Sequence, residues 1–257
     1  MKTIAVLSRK GGAGKTTLAV SLGVAAQQAG LKAVVADIDP LRSAAVVLGG
    51  RRDAGSILVE TSARKLKAVR DACHRNRCDL LILDTPPSPA NDVVKAVEIS
   101  DLCLVVSRPS ALDLAAIEET VQLVRRHHRD GLIVLNQCPS ARNGVEAGVT
   151  RRALQALEFG RLPVATTKIR SRLSYQQAAI ERMGVTEFAP GSEAAVDLQR
   201  LLVEAGELTS RGPARKDHPA LSERAAASNA QGGMEDTWGS STLGLVTASS
   251  ALSWEFA

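Results

Sequence analysis

Short apolar runs separated by mixed stretches recur along the chain as far as about residue 190. The runs "TIAVLS" (3–8), "AVVADID" (33–39), "LLILD" (80–84), "LCLVVS" (102–107), "LIVLNQ" (132–137) and "LPVATTKI" (162–169) are too continuous for half-exposed strands, which alternate apolar and polar positions. They predict strands buried on both faces, as in a parallel sheet covered by helices. "SILVE" (56–60) is a weaker candidate. Between the runs, Leu66, Val69 and Cys73, and again Ile117, Val121 and Val124, recur at helical spacing, each set giving one apolar stripe to lay on a sheet. Alternating strands and helices joined by right-handed crossovers predict an α/β fold with a doubly wound, mostly parallel sheet flanked by helices. A last helix near 192–205 closes a domain spanning 1–208.

Beyond that point the pattern stops. Residues 209–257 are rich in Ser, Ala, Gly and Pro with mixed charge and no sustained period, so a disordered tail is expected. Both tryptophans, Trp238 and Trp254, lie in it, and a recognition segment, a processing remnant and a neutral extension are all open readings. No internal repeat is present.

Composition narrows the class. The chain has 257 residues, 45% of them hydrophobic, and a mean hydropathy near zero, ordinary values for a globular protein. No apolar run reaches the roughly 18 residues of a membrane span, and the N-terminus lacks the pattern of a secretory signal, so a cytoplasmic protein is expected. Cys73, Cys78, Cys103 and Cys138 have neither the density of a disulfide scaffold nor metal-site spacing. A net charge of +5 and a pI near 9.2 suit either a polyanionic partner or solubility alone.

Candidate chemistry begins in "SRKGGAGKTT" (8–17). A strand followed by glycines and then Lys-Thr opening a helix makes a phosphate cradle, in which backbone N–H groups converge and the helix N-terminus adds positive potential. Lys15 would reach the β and γ phosphates and the Thr16 hydroxyl would ligate Mg²⁺, as in the motif G-x-x-x-x-G-K-[ST]. The pattern departs from that motif at its first position, where Arg9 replaces glycine beside a second lysine, Lys10.

"KGGAGKTT" resembles the deviant Walker A loop of the ParA/MinD ATPases, a class of P-loop NTPases. The resemblance implies that Lys10 is a signature lysine reaching the nucleotide of a partner subunit, so that ATP closes a sandwich homodimer. It also implies that the cradle comprises Lys10, Gly11, Gly12, Ala13, Gly14, Lys15, Thr16 and Thr17. "DIDP" (37–40) resembles the family's switch I, in which Asp39 positions the attacking water and Asp37 supports it through Mg²⁺ or hydrogen bonds. Leu41 and Arg42 follow where family members often carry glutamine. "LLILDTPPS" (80–88) has the form of a Walker B strand running into switch II, with Asp84 holding Mg²⁺. Catalysis would then involve Lys10, Lys15 and Asp39, and the metal Thr16, Asp37 and Asp84. Asn136, at the end of its strand, either reads the adenine edge or makes a turn.

The resemblance covers about residues 1–208, most like the short plasmid-type ParA proteins, since a loop starting at residue 8 leaves no room for an N-terminal helix-turn-helix domain. It implies a weak Mg²⁺-dependent ATPase for plasmid or chromosome partition, working on the bacterial nucleoid with a ParB-like centromere-binding partner and non-specific double-stranded DNA. The segment 151–182 carries seven basic residues against Glu158 and Glu181, an excess equal to that of the whole chain. Arg151, Arg152, Lys168, Arg170 and Arg172 are therefore candidate phosphate contacts, the alternative being a solvated charged face. "RRHHR" (125–129) reads as a solvated helix end. Two other functions stay open: a MinD-like membrane-associated positioning ATPase, disfavoured because "GLVTASSALSWEFA" has no Lys or Arg for anionic lipid, and a P-loop metabolic enzyme of the cobyrinate-amidating kind.

Overall fold

Six parallel strands form one sheet in the order β3-β2-β4-β1-β5-β6. The strands are β1 (Lys2–Leu7), β2 (Ala33–Asp37), β3 (Leu58–Glu60), β4 (Leu80–Asp84), β5 (Leu102–Ser107) and β6 (Asp130–Leu135). The structure is a computed structural model and describes residues 1–51, 57–87, 91–158 and 162–210. The helices among these are α1 (Lys15–Gln28), α2 (Ser43–Leu48), α3 (Leu66–Arg75), α4 (Asn91–Ile99), α5 (Ala111–Arg126), α6 (Gly148–Glu158), α7 (Leu173–Ile180), α8 (Val185–Phe188) and α9 (Glu193–Ser210). The expected doubly wound sheet is thus present. The tail beyond Ser210, with both tryptophans, lies outside the described residues.

Continuous apolar strands are needed because the sheet is covered twice. Ile4 and Val6 of β1, Leu80 and Ile82 of β4, and Leu102, Leu104 and Val106 of β5 enter one core, which α1 and α9 complete. The alternate residues Ala5 and Leu7, Leu81 and Leu83, and Cys103 and Val105 enter a second core beneath α3, α4 and α5. The helical stripes Leu66-Val69-Cys73 and Ile117-Val121-Val124 both pack there. Helix α1 is buried nearly all round, and a Cβ on Gly23 would come within 2.5 Å of Val35, so glycine lets this helix approach β2 closely. All four cysteines are free and buried.

One expected strand is not formed. The run 162–169 makes only single bridges, Val164 to Ile133 and Arg170 to Cys138. Between them the chain turns away, and the Glu204 carboxylate of α9 accepts hydrogen bonds from the N–H groups of Thr166 (2.7 Å) and Thr167 (3.2 Å). Those donors are withdrawn from a ladder, and Pro163 has none to give. β3 shrinks to a three-residue edge, while the last helix runs on to Ser210. The "RRHHR" segment ends α5: His127 follows its last turn, and His128 has φ +52°.

Candidate functional site at the carboxyl edge of the sheet

Parallel strands all deliver their C-terminal residues to one edge, where open α/β sheets place their ligands. Register fixes what meets there. Asp84 of β4 lies opposite Val6 of β1 on one side and opposite Asp37 of β2 on the other. The loop after β1 therefore emerges beside two buried carboxylates.

That loop is braced from the far side of the sheet. Asn136 donates its side-chain amide to the Ala13 carbonyl (2.7 Å), and Gln137 donates its own to the Gly12 carbonyl (2.8 Å). The Asn136 side-chain oxygen accepts the Gln137 backbone N–H (2.9 Å), and Gln137 itself adopts φ +53°. With these carbonyls held outward, the N–H groups of the loop are left for an anion. Gly14 has φ +89°, and a Cβ there would strike the Asn136 amide, so glycine is required twice over. Gly11 and Gly12 are exposed, Ala13 is buried, Thr16 is half-buried and Thr17 exposed. Asn136 thus reaches the site, where one of its amide N–H groups and one lone pair of its oxygen hold the loop and the turn. Gln137 was not legible as a site residue; its only signal was its place directly after Asn136.

The four charged groups at the edge differ sharply in their partners. Lys15 is 7% exposed, and burial lowers its pKa against the opposing pull of Asp84 and Asp39. Asp84 is fully buried, and among the described residues neither carboxylate oxygen has a hydrogen-bond partner within bonding geometry. Burial pushes its pKa up to about 7; the nearby Thr16 hydroxyl and the Lys15 ammonium oppose the shift, while the Asp37 and Asp39 charges add to it. Asp37 is also fully buried, but Oδ1 accepts the Asp39 N–H (3.0 Å) and Oδ2 the Ala45 N–H (3.1 Å) near the start of α2. Its pKa is raised by burial, with those two N–H groups and Arg42 working the other way. Asp39 closes an Asx turn onto the Leu41 N–H (2.9 Å) through Oδ1, and among the described residues nothing donates to Oδ2.

Arg42 replaces the family's frequent glutamine with a strap. Its Nη1 donates to the carbonyls of Asp37 and Thr61, both at 2.6 Å, tying the end of β2 to the end of β3. Leu41 beside it is 77% exposed. On the switch II side, the Thr85 hydroxyl donates to the Val6 carbonyl (2.7 Å), fixing the residue after Asp84 to β1. Pro86 and Pro87 follow, and Ser88 lies outside the described residues.

Lys10, unlike Lys15, is exposed, its backbone N–H within 3.4 Å of the Ser8 hydroxyl. Its charge is felt by Asp113 in the first turn of α5: burial there raises the carboxyl pKa, but Ser110, Arg108 and Lys10 together outweigh it and hold the group below the usual range. Arg9 forms an ion pair with Glu119 of α5, and a cavity of about 280 Å³ lined by Leu7, Val93, Leu123 and Arg126 opens next to that pair.

The basic candidates differ in exposure and in partners. Arg151 and Arg152 are exposed on α6. Lys168 is half-buried with its ammonium on the Thr166 carbonyl (2.8 Å). Arg170 instead makes a two-pronged ion pair with Glu146, both contacts at 2.6 Å, and reaches the Pro139 carbonyl (3.0 Å). Arg172 pairs with Glu193 (2.5 Å) and approaches Asp197 (4.0 Å). The charge excess counted along 151–182 is thereby reduced by acids from outside that segment, while Arg161 lies outside the described residues.

A strand-loop-helix cradle beside a buried lysine and an unpartnered buried carboxylate defines a P-loop nucleotide-binding protein. The residues fit Mg²⁺ with ATP: two orphaned oxygens on Asp84, opposite the Thr16 hydroxyl, suit a hard cation and its water, and the cradle suits a triphosphate. Residues 4–189 match the CobQ/CobB/MinD/ParA nucleotide binding domain, and the chain belongs to that family. It is 30% identical over 208 residues to the maintenance of carboxysome distribution protein A of Gloeobacter kilaueensis, covering 79% of this chain and 93% of that protein. Protein ParA of Rhizobium radiobacter is 30% identical over 127 residues, 48% of this chain and 56% of that one. Among solved structures, apo McdA of Cyanothece superposes with a TM-score of 0.67 at 18% identity, covering 80% of this chain and 99% of that one. Among the described residues, no helix is long and apolar enough to cross a membrane.

Proposed function

We propose that this protein is a Mg²⁺-dependent ATPase that works as a partitioning switch: ATP closes a sandwich dimer, the dimer binds double-stranded DNA without sequence preference, and a ParB-like partner resets it by stimulating hydrolysis. In this reading Lys15 and the loop N–H groups of residues 11–17 hold the phosphates, and Thr16 and Asp84 hold Mg²⁺. Asp37 supports the metal site mainly by fixing the turn that presents Asp39. Asp39 positions the attacking water through Oδ2. Mg²⁺ held by Thr16 and Asp84 would supply positive charge to offset that of the terminal phosphate. Hydrolysis is expected to be slow without the partner, and a place on the bacterial nucleoid follows from DNA binding.

The observation that carries the reading is the contrast between the two lysines of one loop. Lys15 is buried against Asp84 and Asp39, whereas Lys10 is exposed and free to neutralise phosphate charge in a second subunit. Lys10→Ala tests it by light scattering with ATP: the dimer should be lost while monomeric nucleotide binding persists. Undiminished ATP-dependent association would reject the sandwich.

The relatives favour a second identity for the cargo. A carboxysome distribution protein matched over 93% of its length supports a protein body, rather than a plasmid, as the thing positioned. Either cargo uses the same nucleotide switch and the same DNA matrix.

A further inference from the structure

Among the described residues, a concentrated run of positive charge without ion pairs lies on α3 and the 3-10 turn before it (Ala63–Lys65), on neither the nucleotide site nor the segment 151–182. Residues 64–77 contain Arg64, Lys65, Lys67, Arg70, Arg75 and Arg77 against Asp71 alone. The apolar stripe Leu66-Val69-Cys73 packs into the core, which turns Lys67, Arg70, His74 and Arg75 toward the opposite face. All six basic residues except the half-buried Arg70 are exposed, and none forms an ion pair among the described residues.

Helix electrostatics account for only part of this. Arg75, in the last turn, and Arg77 just beyond it complement the negative end of the helix dipole. Arg64, Lys65 and Lys67 crowd the positive end, where no acidic residue offsets them. Cations placed there repel one another and the helix, a cost that a polyanion laid across them removes.

We propose that this face of α3 binds the phosphate backbone of double-stranded DNA. The inference rests on the DNA-binding reading above and assigns its principal contact to Arg64, Lys65 and Lys67. Charge complementarity selects the occupant: a row of flexible ammonium and guanidinium groups with no aromatic or large apolar residue exposed among them suits duplex phosphates, and lacks the apolar face that inserts into lipid. The position also ties DNA to the nucleotide. Thr61, two residues before the 3-10 turn, donates its N–H to the Asp37 carbonyl (3.0 Å), and Arg42 straps the two carbonyls together. A shift of residues 37–42 on hydrolysis would therefore move the root of the basic helix.

Arg64→Gln/Lys65→Gln/Lys67→Gln and, separately, Arg151→Gln/Arg152→Gln test this by fluorescence anisotropy with a random-sequence duplex and ATP across a salt series. These exposed neutral changes leave both cores intact, and ATP-dependent association serves as the control. Losing three phosphate contacts should flatten the slope of log affinity against log salt by about 3 and weaken binding at least tenfold at low salt. A wild-type slope in the α3 variant, with loss in the α6 variant, overturns the assignment and leaves DNA binding standing. No duplex binding by the wild-type protein overturns both. Retention on phosphatidylglycerol vesicles instead of duplex would give the face to a membrane.

Discussion

Asp37 and Asp84 are the same residue type, sit side by side in register at the ends of adjacent strands and are equally buried, yet one is saturated and the other bare. Two backbone N–H groups, of Asp39 in the loop after β2 and of Ala45 in α2, converge on Asp37, which makes it part of the framework. Among the described residues, no backbone N–H donates to Asp84. A buried acid without donors costs the fold stability, and it persists where a ligand supplies the missing charge. The pair shows how one residue type at one edge divides into a group that builds the site and a group that waits for its occupant.

The same substitution should therefore have opposite effects at the two positions. Asp84→Asn is expected to reduce Mg²⁺-dependent ATP turnover on the order of 100-fold, since the proposed metal site would lose a buried anionic ligand. It should also stabilise the metal-free protein against urea at pH 8, by up to about 3 kcal/mol. The native pKa of about 7 lies above the unfolded value, so the folded state binds the proton more tightly and metal-free stability falls as pH rises from about 4 toward 7. At pH 5 the folded-state acid is neutral while the unfolded-state acid is still ionised, so the gain from asparagine should shrink there and vanish only below about pH 4. If Asp84→Asn unfolded the protein more easily at pH 8, the acid would have protein donors after all.

Gly14→Ala should come next. It forces a left-handed φ on alanine and drives a methyl into the Asn136 amide, with a loss of about 2 kcal/mol and at least tenfold weaker binding of a fluorescent nucleotide. Normal nucleotide affinity in this variant would mean the brace from β6 is dispensable.

Asp37→Asn sharpens the comparison from the other side. One amide oxygen can serve only one of the two N–H groups, and the new NH₂ opposes the other, so stability should fall by about 1 to 3 kcal/mol in the same urea titration. The smallest effect is expected from Arg42→Gln, which shortens the strap between Asp37 and Thr61: about 1 kcal/mol, with faster amide exchange at residues 37–42. Equal behaviour of Asp37→Asn and Asp84→Asn would erase the distinction between framework and ligand.

Much of this was legible in the chain. "KGGAGKTT" after one apolar run, "DIDP" at the end of the next and "LLILD" further on placed Lys15 at the start of the first helix and Asp39 and Asp84 at or just past strand ends, because a buried parallel strand must be continuous and must surface at its end. The run 162–169 looked the same and was misread, since its hydrogen-bond donors are claimed by Glu204 far along the chain. Gln137 carried no pattern at all. Along the sequence, 151–182 and 64–77 are equally basic, but Glu146, Glu193 and Asp197 neutralise part of the first, and among the described residues no acid forms an ion pair with the second.

What the sequence determined by itself was local and periodic: which runs are strands, where the phosphate loop falls, and which acids end which strands. Only the tertiary structure decided which of those groups are already satisfied. Hydrogen bonds and ion pairs join residues distant along the chain, and no spacing rule records whether a carboxylate or a guanidinium has found a partner once the elements pack.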